Sequence, residues 1–123
     1  ANTLHWIDND GQVREGDLIL IDAGVEADSL YTADITRTLP VNGKFTPVQA
    51  KVYNAVLDAC EAGLAQANKR GCRFKDVHDA AVATLVKHLD SWGLLPVSAE
   101  QTLSEDGGEY RRWMPHGVSH HLG

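Results

Sequence analysis

The sequence runs to 123 residues with 17 acidic against 11 basic side chains, a formal net charge of −6, and this length suits one domain that buries about two-thirds of its unfolded surface. No Lys/Arg block and no basic helix face occurs, which excludes the electrostatic footprint of a nucleic-acid or anionic-membrane binder. Apolar runs such as residues 18–21 fall far short of the roughly 20 residues that span a bilayer, and the polar start Ala1-Asn2-Thr3 is not a signal peptide.

Residues 17–22 form a near-continuous aliphatic run and residues 29–38 mix β-branched with aromatic side chains, so both read as strands. The short polar stretch 23–28 reads as the turn between them, and Pro40, Asn42 and Gly43 end the second strand. Thr46-Pro47-Val48-Gln49 then opens a helix with a hydroxyl N-cap, proline at the first helical position and a glutamine placed to close a capping box. Its apolar stripe is predicted to run through Val52, Val56, Ala59, Cys60, Gly63, Leu64 and Ala67, with Gly71 as the stop.

A second helix is predicted to carry Phe74, Val77, Ala81, Leu85, Leu89 and Trp92 on one face and to end at Gly93. His78 and His88 on it read as solvent-exposed. Residues 94–110 show no period and read as a loop, and residues 112–119 read as extended. Cys60 and Cys72 have neither CxxC nor framework spacing, which points to free thiols in a reducing, cytoplasmic compartment.

Two carboxylates carry the first chemical signal: Asp22 at the end of an aliphatic strand, and Asp34 between Ala33 and Ile35 in the next. An unpaired charge in an apolar strand costs several kcal/mol or more, and a metal ion is one way to offset it. If residues 17–22 and 30–38 pair antiparallel, both carboxylates reach one face, an arrangement that oxygen-preferring cations favour. The structural alternatives are an Asx turn at Asp22 and an ion pair between Asp34 and Arg37.

The second signal is His116-Gly117-Val118-Ser119-His120-His121. In an extended segment His116 and His120 share a face while His121 points away, so that two imidazoles opposite two carboxylates would make a mixed donor set for Mn, Zn, Co or Fe. The alternative is a polar surface strand or a fragment of a tag.

Leu20-Ile21-Asp22-Ala23-Gly24, Asp34-Ile35-Thr36-Arg37-Thr38, the run from Pro40 to Thr46 and the run from His116 to Gly123 resemble, in order and spacing, the Xaa-Pro aminopeptidases of the creatinase-like pita-bread metallopeptidases. The resemblance spans essentially the whole chain. It implies an α+β fold: part of the pita-bread (creatinase/aminopeptidase) architecture, a curved antiparallel sheet with the two helices on one face. Residues 1–123 would be the amino-terminal portion of the catalytic domain. The chain starts without Met and ends inside a motif, as expected of a piece of a longer protein.

The resemblance also implies site roles. Asp22 would chelate one metal, Asp34 would bridge two and His120 would ligate the other; His116 would line the substrate pocket, and His5 falls where the family has a substrate-site histidine. Two divalent cations per intact site are implied, manganese first, with zinc, cobalt or iron as alternatives. Two further glutamates and a histidine would lie beyond Gly123. One more residue separates Asp22 from Asp34 than is usual in the family, expected in the turn around Glu26, Ala27 and Asp28.

The implied activity is hydrolysis of the bond between an amino-terminal residue and a following proline, on a peptide substrate with proline at its second position. No nucleic-acid or membrane partner is expected, and an under-covered sheet face implies a homo-oligomer. The isolated chain is expected to be inactive. A prolidase-type dipeptidase, or a metal-free pita-bread module that binds proteins, is the alternative.

Overall fold

In a computed structural model the described residues are 6–120. The chain divides into two compact units, one containing the hairpin and continuing through Ala50, the other running from Lys51 to His120.

The first unit is a two-stranded antiparallel ribbon, β1 (Leu18–Glu26) and β2 (Thr32–Pro40), in the register Leu18 with Pro40 through Glu26 with Thr32. Its base is closed by the Val41 amide, which donates to the Asp17 carbonyl at 3.0 Å. β1 runs four residues past the sequence expectation, because Ala23 to Glu26 pair with Ile35 to Thr32 instead of turning. The turn lies at residues 27–31, where the Leu30 amide donates to the Ala27 carbonyl at 2.8 Å and the Ala27 amide to the Tyr31 carbonyl at 2.9 Å. Leu30 takes φ 66° there, an unusual conformation for a residue with a branched side chain.

The expected burial of this aliphatic ribbon is also corrected: Leu20, Ile21, Val25 and Ile35 are exposed, as are Asp22 and Asp34. The two carboxylates therefore carry no large desolvation cost in this chain, and the expectation of charges inside a buried strand is not met.

Helix α1 (Pro47–Ala67) starts as its sequence dictates. The Gln49 amide donates to Thr46 Oγ1 at 3.2 Å while the Thr46 amide donates to Gln49 Oε1 at 2.9 Å, a reciprocal capping box. Gln49 Nε2 also donates to the Gly16 carbonyl at 2.9 Å, tying the helix start to the segment before β1.

In the second unit, α1 runs antiparallel to α2 (Phe74–Ser91), since Lys51 meets Trp92, Asp58 meets His88, and Gly63 meets Val77 and Ala81. The face of α1 that is buried holds the small residues Ala55, Ala59 and Gly63. Ala59 and Gly63 belong to the predicted stripe, but its larger members Val52, Val56 and Leu64 are exposed, at 48%, 55% and 60% respectively. Small residues win the interface because they let the helix backbones approach closely: a Cβ built on Gly63 would sit 3.4 Å from Val77 Cγ1.

On α2 the predicted Ala81 and Leu89 are buried, joined by Val82 and Val86, so the face is rotated away from Phe74, Val77 and Leu85. The helix ends in a Schellman motif: Gly93, at φ 67°, donates to the Asp90 carbonyl, and Leu94 donates to that of Leu89. The stretch predicted to be a loop holds a short helix, α3 (Ala99–Thr102), with its own capping box between Ser98 and Gln101, followed by a 3₁₀ turn at Glu109–Arg112. That turn replaces the start of the predicted extended segment. None of the helices among the described residues is long and apolar enough to cross a membrane.

Candidate metal centre

The hairpin register determines what the two carboxylates can do. Asp22 lies opposite Thr36, and Asp34 lies opposite Gly24. Side chains two apart on a strand share a face, so Asp22, Thr36 and Asp34 sit on one side of the ribbon, with Asp22 and Asp34 as diagonal neighbours. Asp22 is in mid-strand, which removes the Asx-turn alternative. Arg37 projects from the opposite face and donates through Nη1 to the Thr36 carbonyl at 2.8 Å.

Thr36 Oγ1 donates to Asp22 Oδ1 at 2.8 Å. This bond fixes the carboxylate plane, as an outer hydrogen bond does for a metal-binding side chain, and leaves Asp22 Oδ2 outside that bond. Gly24 keeps the position opposite Asp34 without a side chain. A Cβ there would come within 2.8 Å of the Ala33 carbonyl oxygen, closer than real Cβ atoms approach.

Diagonal neighbours on an antiparallel pair have Cβ atoms about 7 Å apart, a span that two carboxylates with metal–oxygen bonds of about 2.0–2.2 Å can bridge. Carboxylate oxygens of this kind suit a hard divalent cation. As a donor set the pair is partial: among the described residues no group of three or more His, Cys, Asp or Glu side chains could hold a metal ion.

His116 and His120 belong to the second unit, on an irregular segment after the 3₁₀ turn. The simple alternation expected of 116, 118 and 120 is broken at Ser119, which takes φ 58°. Both histidines are exposed. His5 and His121 lie outside the described residues.

Two histidines predicted to be solvent-exposed have partners instead. His88 Nε2 donates to Asp58 Oδ2 at 2.9 Å and its ring lies 5.8 Å from that of Trp92, over which Lys51 Nζ sits at 4.6 Å. His78 Nδ1 accepts from the Val118 amide at 3.2 Å. Sequence reasoning also missed Thr36, although the pairing it proposed for the two strands contained the signal, since that pairing puts a hydroxyl opposite Asp22.

The model of metallopeptidase family M24 matches residues 1–123. The chain is 50% identical over all 123 residues to Xaa-Pro aminopeptidase 1 of Streptomyces coelicolor, covering 24% of that protein. It is 38% identical over 120 residues to the Xaa-Pro aminopeptidase of Escherichia coli, covering 98% of this chain and 26% of that protein.

Among solved structures, Pseudomonas aeruginosa aminopeptidase PepP superposes with a TM-score of 0.80 at 38% identity over 89% of this chain and 24% of that one. A substituted Escherichia coli aminopeptidase P in complex with substrate gives 0.78 at 37% identity over the same shares. The α+β, partial pita-bread fold is thus the fold of the corresponding part of aminopeptidase P. The chain spans about a quarter of the length of these relatives.

Proposed function

Because the chain belongs to metallopeptidase family M24, we propose that it forms part of the catalytic domain of a metal-dependent aminopeptidase that removes an amino-terminal residue preceding proline. The observation that carries this reading is the placement of Asp22 and Asp34 on one face of the hairpin, with Thr36 holding the Asp22 carboxylate. Identity of 50% to Xaa-Pro aminopeptidase 1 supports the proline-specific assignment.

In this reading Asp22, Asp34 and His120 would hold the metal, and His116 and His5 would border the substrate. The ions, two divalent cations with manganese first, would supply an activated water and polarise the scissile carbonyl. The chain's own residues orient and neutralise. Asp22 and Asp34 bring two carboxylates to one face of the ribbon, Thr36 holds one of them, and His120 would add a nitrogen donor. Proline has no backbone N–H for an enzyme to engage, so recognition falls to the shape of the pocket beside the scissile bond.

Two carboxylates and one imidazole are too few donors to balance two adjacent divalent cations, so the 123-residue chain on its own is proposed to be inactive. The test is a chimera in which this sequence replaces the matching quarter of Xaa-Pro aminopeptidase 1 of Streptomyces coelicolor. Release of the first residue from an Xaa-Pro peptide, abolished by Asp34→Ala, is the expected result. A folded chimera that cleaves equally with Asp34→Ala contradicts the proposal.

A further inference from the structure

We infer that His78 is a positioning residue: through the neutral imidazole it holds the backbone turn that carries His116 and His120. The inference rests on the reading of those two histidines as substrate-bordering and metal-binding groups.

His78 stands early on α2, one turn after Phe74, on a helix whose Ala81, Val82, Val86 and Leu89 are buried. Its ring is half-buried, and Nδ1 accepts the Val118 amide at 3.2 Å across forty positions of sequence. Residues 116–120 belong to no helix or strand, so Val118 has no ladder partner. A half-buried backbone N–H left without a partner is destabilising. The imidazole removes that cost.

Ser119, the next residue, sits at φ 58°. A non-glycine residue in this region is held there only where its surroundings over-determine it. The tether to His78 is one such restraint, placed between His116 and His120. Phe74, Lys75 and His78 from α2 line a shallow groove together with Gly117, Val118 and Ser119, so the turn rests on the first turns of the helix as a whole.

The hydrogen bond also dictates a tautomer. An Nδ1 that accepts must be bare, so the ring proton resides on Nε2, and a doubly protonated ring could not accept at all. The position thus requires an acceptor at the Nδ1 location, which Asn can provide through Oδ1 and Ala cannot.

The test uses the uniformly ¹⁵N-labelled chain. The expected result is a His78 ring with a pyridine-like Nδ1 and a protonated Nε2, together with a Val118 amide that exchanges slowly. His78→Ala should speed Val118 exchange about tenfold, in keeping with the loss of one hydrogen bond, and shift the ring resonances of His116 and His120. His78→Asn should restore both, separating the acceptor role from simple space filling. A protonated Nδ1, or Val118 exchange unchanged in a folded His78→Ala chain, overturns the inference. Failure of the metal reading shows elsewhere: Mn²⁺ titration of Asp22→Asn, which leaves His78 and Val118 untouched, decides that independently.

Discussion

The Thr36 hydroxyl donates across the hairpin to Asp22 Oδ1 at 2.8 Å, which makes a threonine rather than a charged residue the partner of the first candidate ligand. Partners of this kind typically alter metal affinity by about 10–100-fold when removed. Thr36→Val, which keeps the shape and loses the donor, should weaken Mn²⁺ binding by about tenfold. Thr36→Ser should leave it nearly unchanged, as isothermal titration of the two variants would show.

Gly24→Ala tests the other half of the same face. The added methyl meets the Ala33 carbonyl oxygen at 2.8 Å, so the strands must shift where Asp34 is held. Overpacking of this kind costs about 1–3 kcal/mol. The expected outcome is a lower midpoint in urea and a changed Asp34 chemical shift, whereas Gly11→Ala, with open space around it, should leave both alone.

Thr102 is 1% exposed, and its hydroxyl has no hydrogen-bond partner among the described residues. A buried hydroxyl without a partner costs roughly 1–3 kcal/mol relative to an apolar isostere. Thr102→Val should therefore raise the melting temperature or leave it unchanged. A clear fall would mean that the hydroxyl is bonded in solution.

Thr46→Ala removes the cap of α1 and should destabilise the chain by about 1 kcal/mol. Because Gln49 joins the same capping box and also reaches the Gly16 carbonyl at 2.9 Å, Gln49→Ala should cost more than an ordinary exposed substitution. Paired urea titrations of the two variants and their double would show coupling between them, as expected for members of one network.

The parts of this fold that were legible in sequence are those settled by neighbouring residues. Thr46 to Gln49 form the predicted capping box because every partner lies within four positions. Asp22 and Asp34 reach one face because period-two alternation and the pairing of the strands suffice to put them there. Residues 23–28 look like a turn because their polar side chains resemble a loop, whereas Ala23 to Glu26 find cross-strand partners that only the far strand can supply. Ser98 and Gln101 repeat the signal seen at Thr46 and Gln49, but four residues of helix carry too little apolar pattern to attract notice.

Other features depend on contacts that no local pattern encodes. Of the predicted stripe of α1, the large Val52, Val56 and Leu64 stay exposed while the small Ala59 and Gly63, with Ala55, are buried, because helix approach rewards small side chains. The bond between His78 and Val118 joins residues forty positions apart, and its only trace in the sequence is a histidine at an unremarkable helical position. Ser119 in the left-handed region likewise follows from tertiary restraint, since serine has no local preference that would force it.

The most direct test of the account is Mn²⁺ binding by the purified chain, measured by isothermal titration alongside Asp22→Asn and Asp34→Asn. Carboxylates that share one face of the hairpin and act together predict weak, saturable binding of one ion per chain, reduced at least about tenfold in either variant. Binding that is unchanged in the double variant, or that saturates on the wild-type chain without involving either aspartate, would contradict the placement of the metal centre on this ribbon.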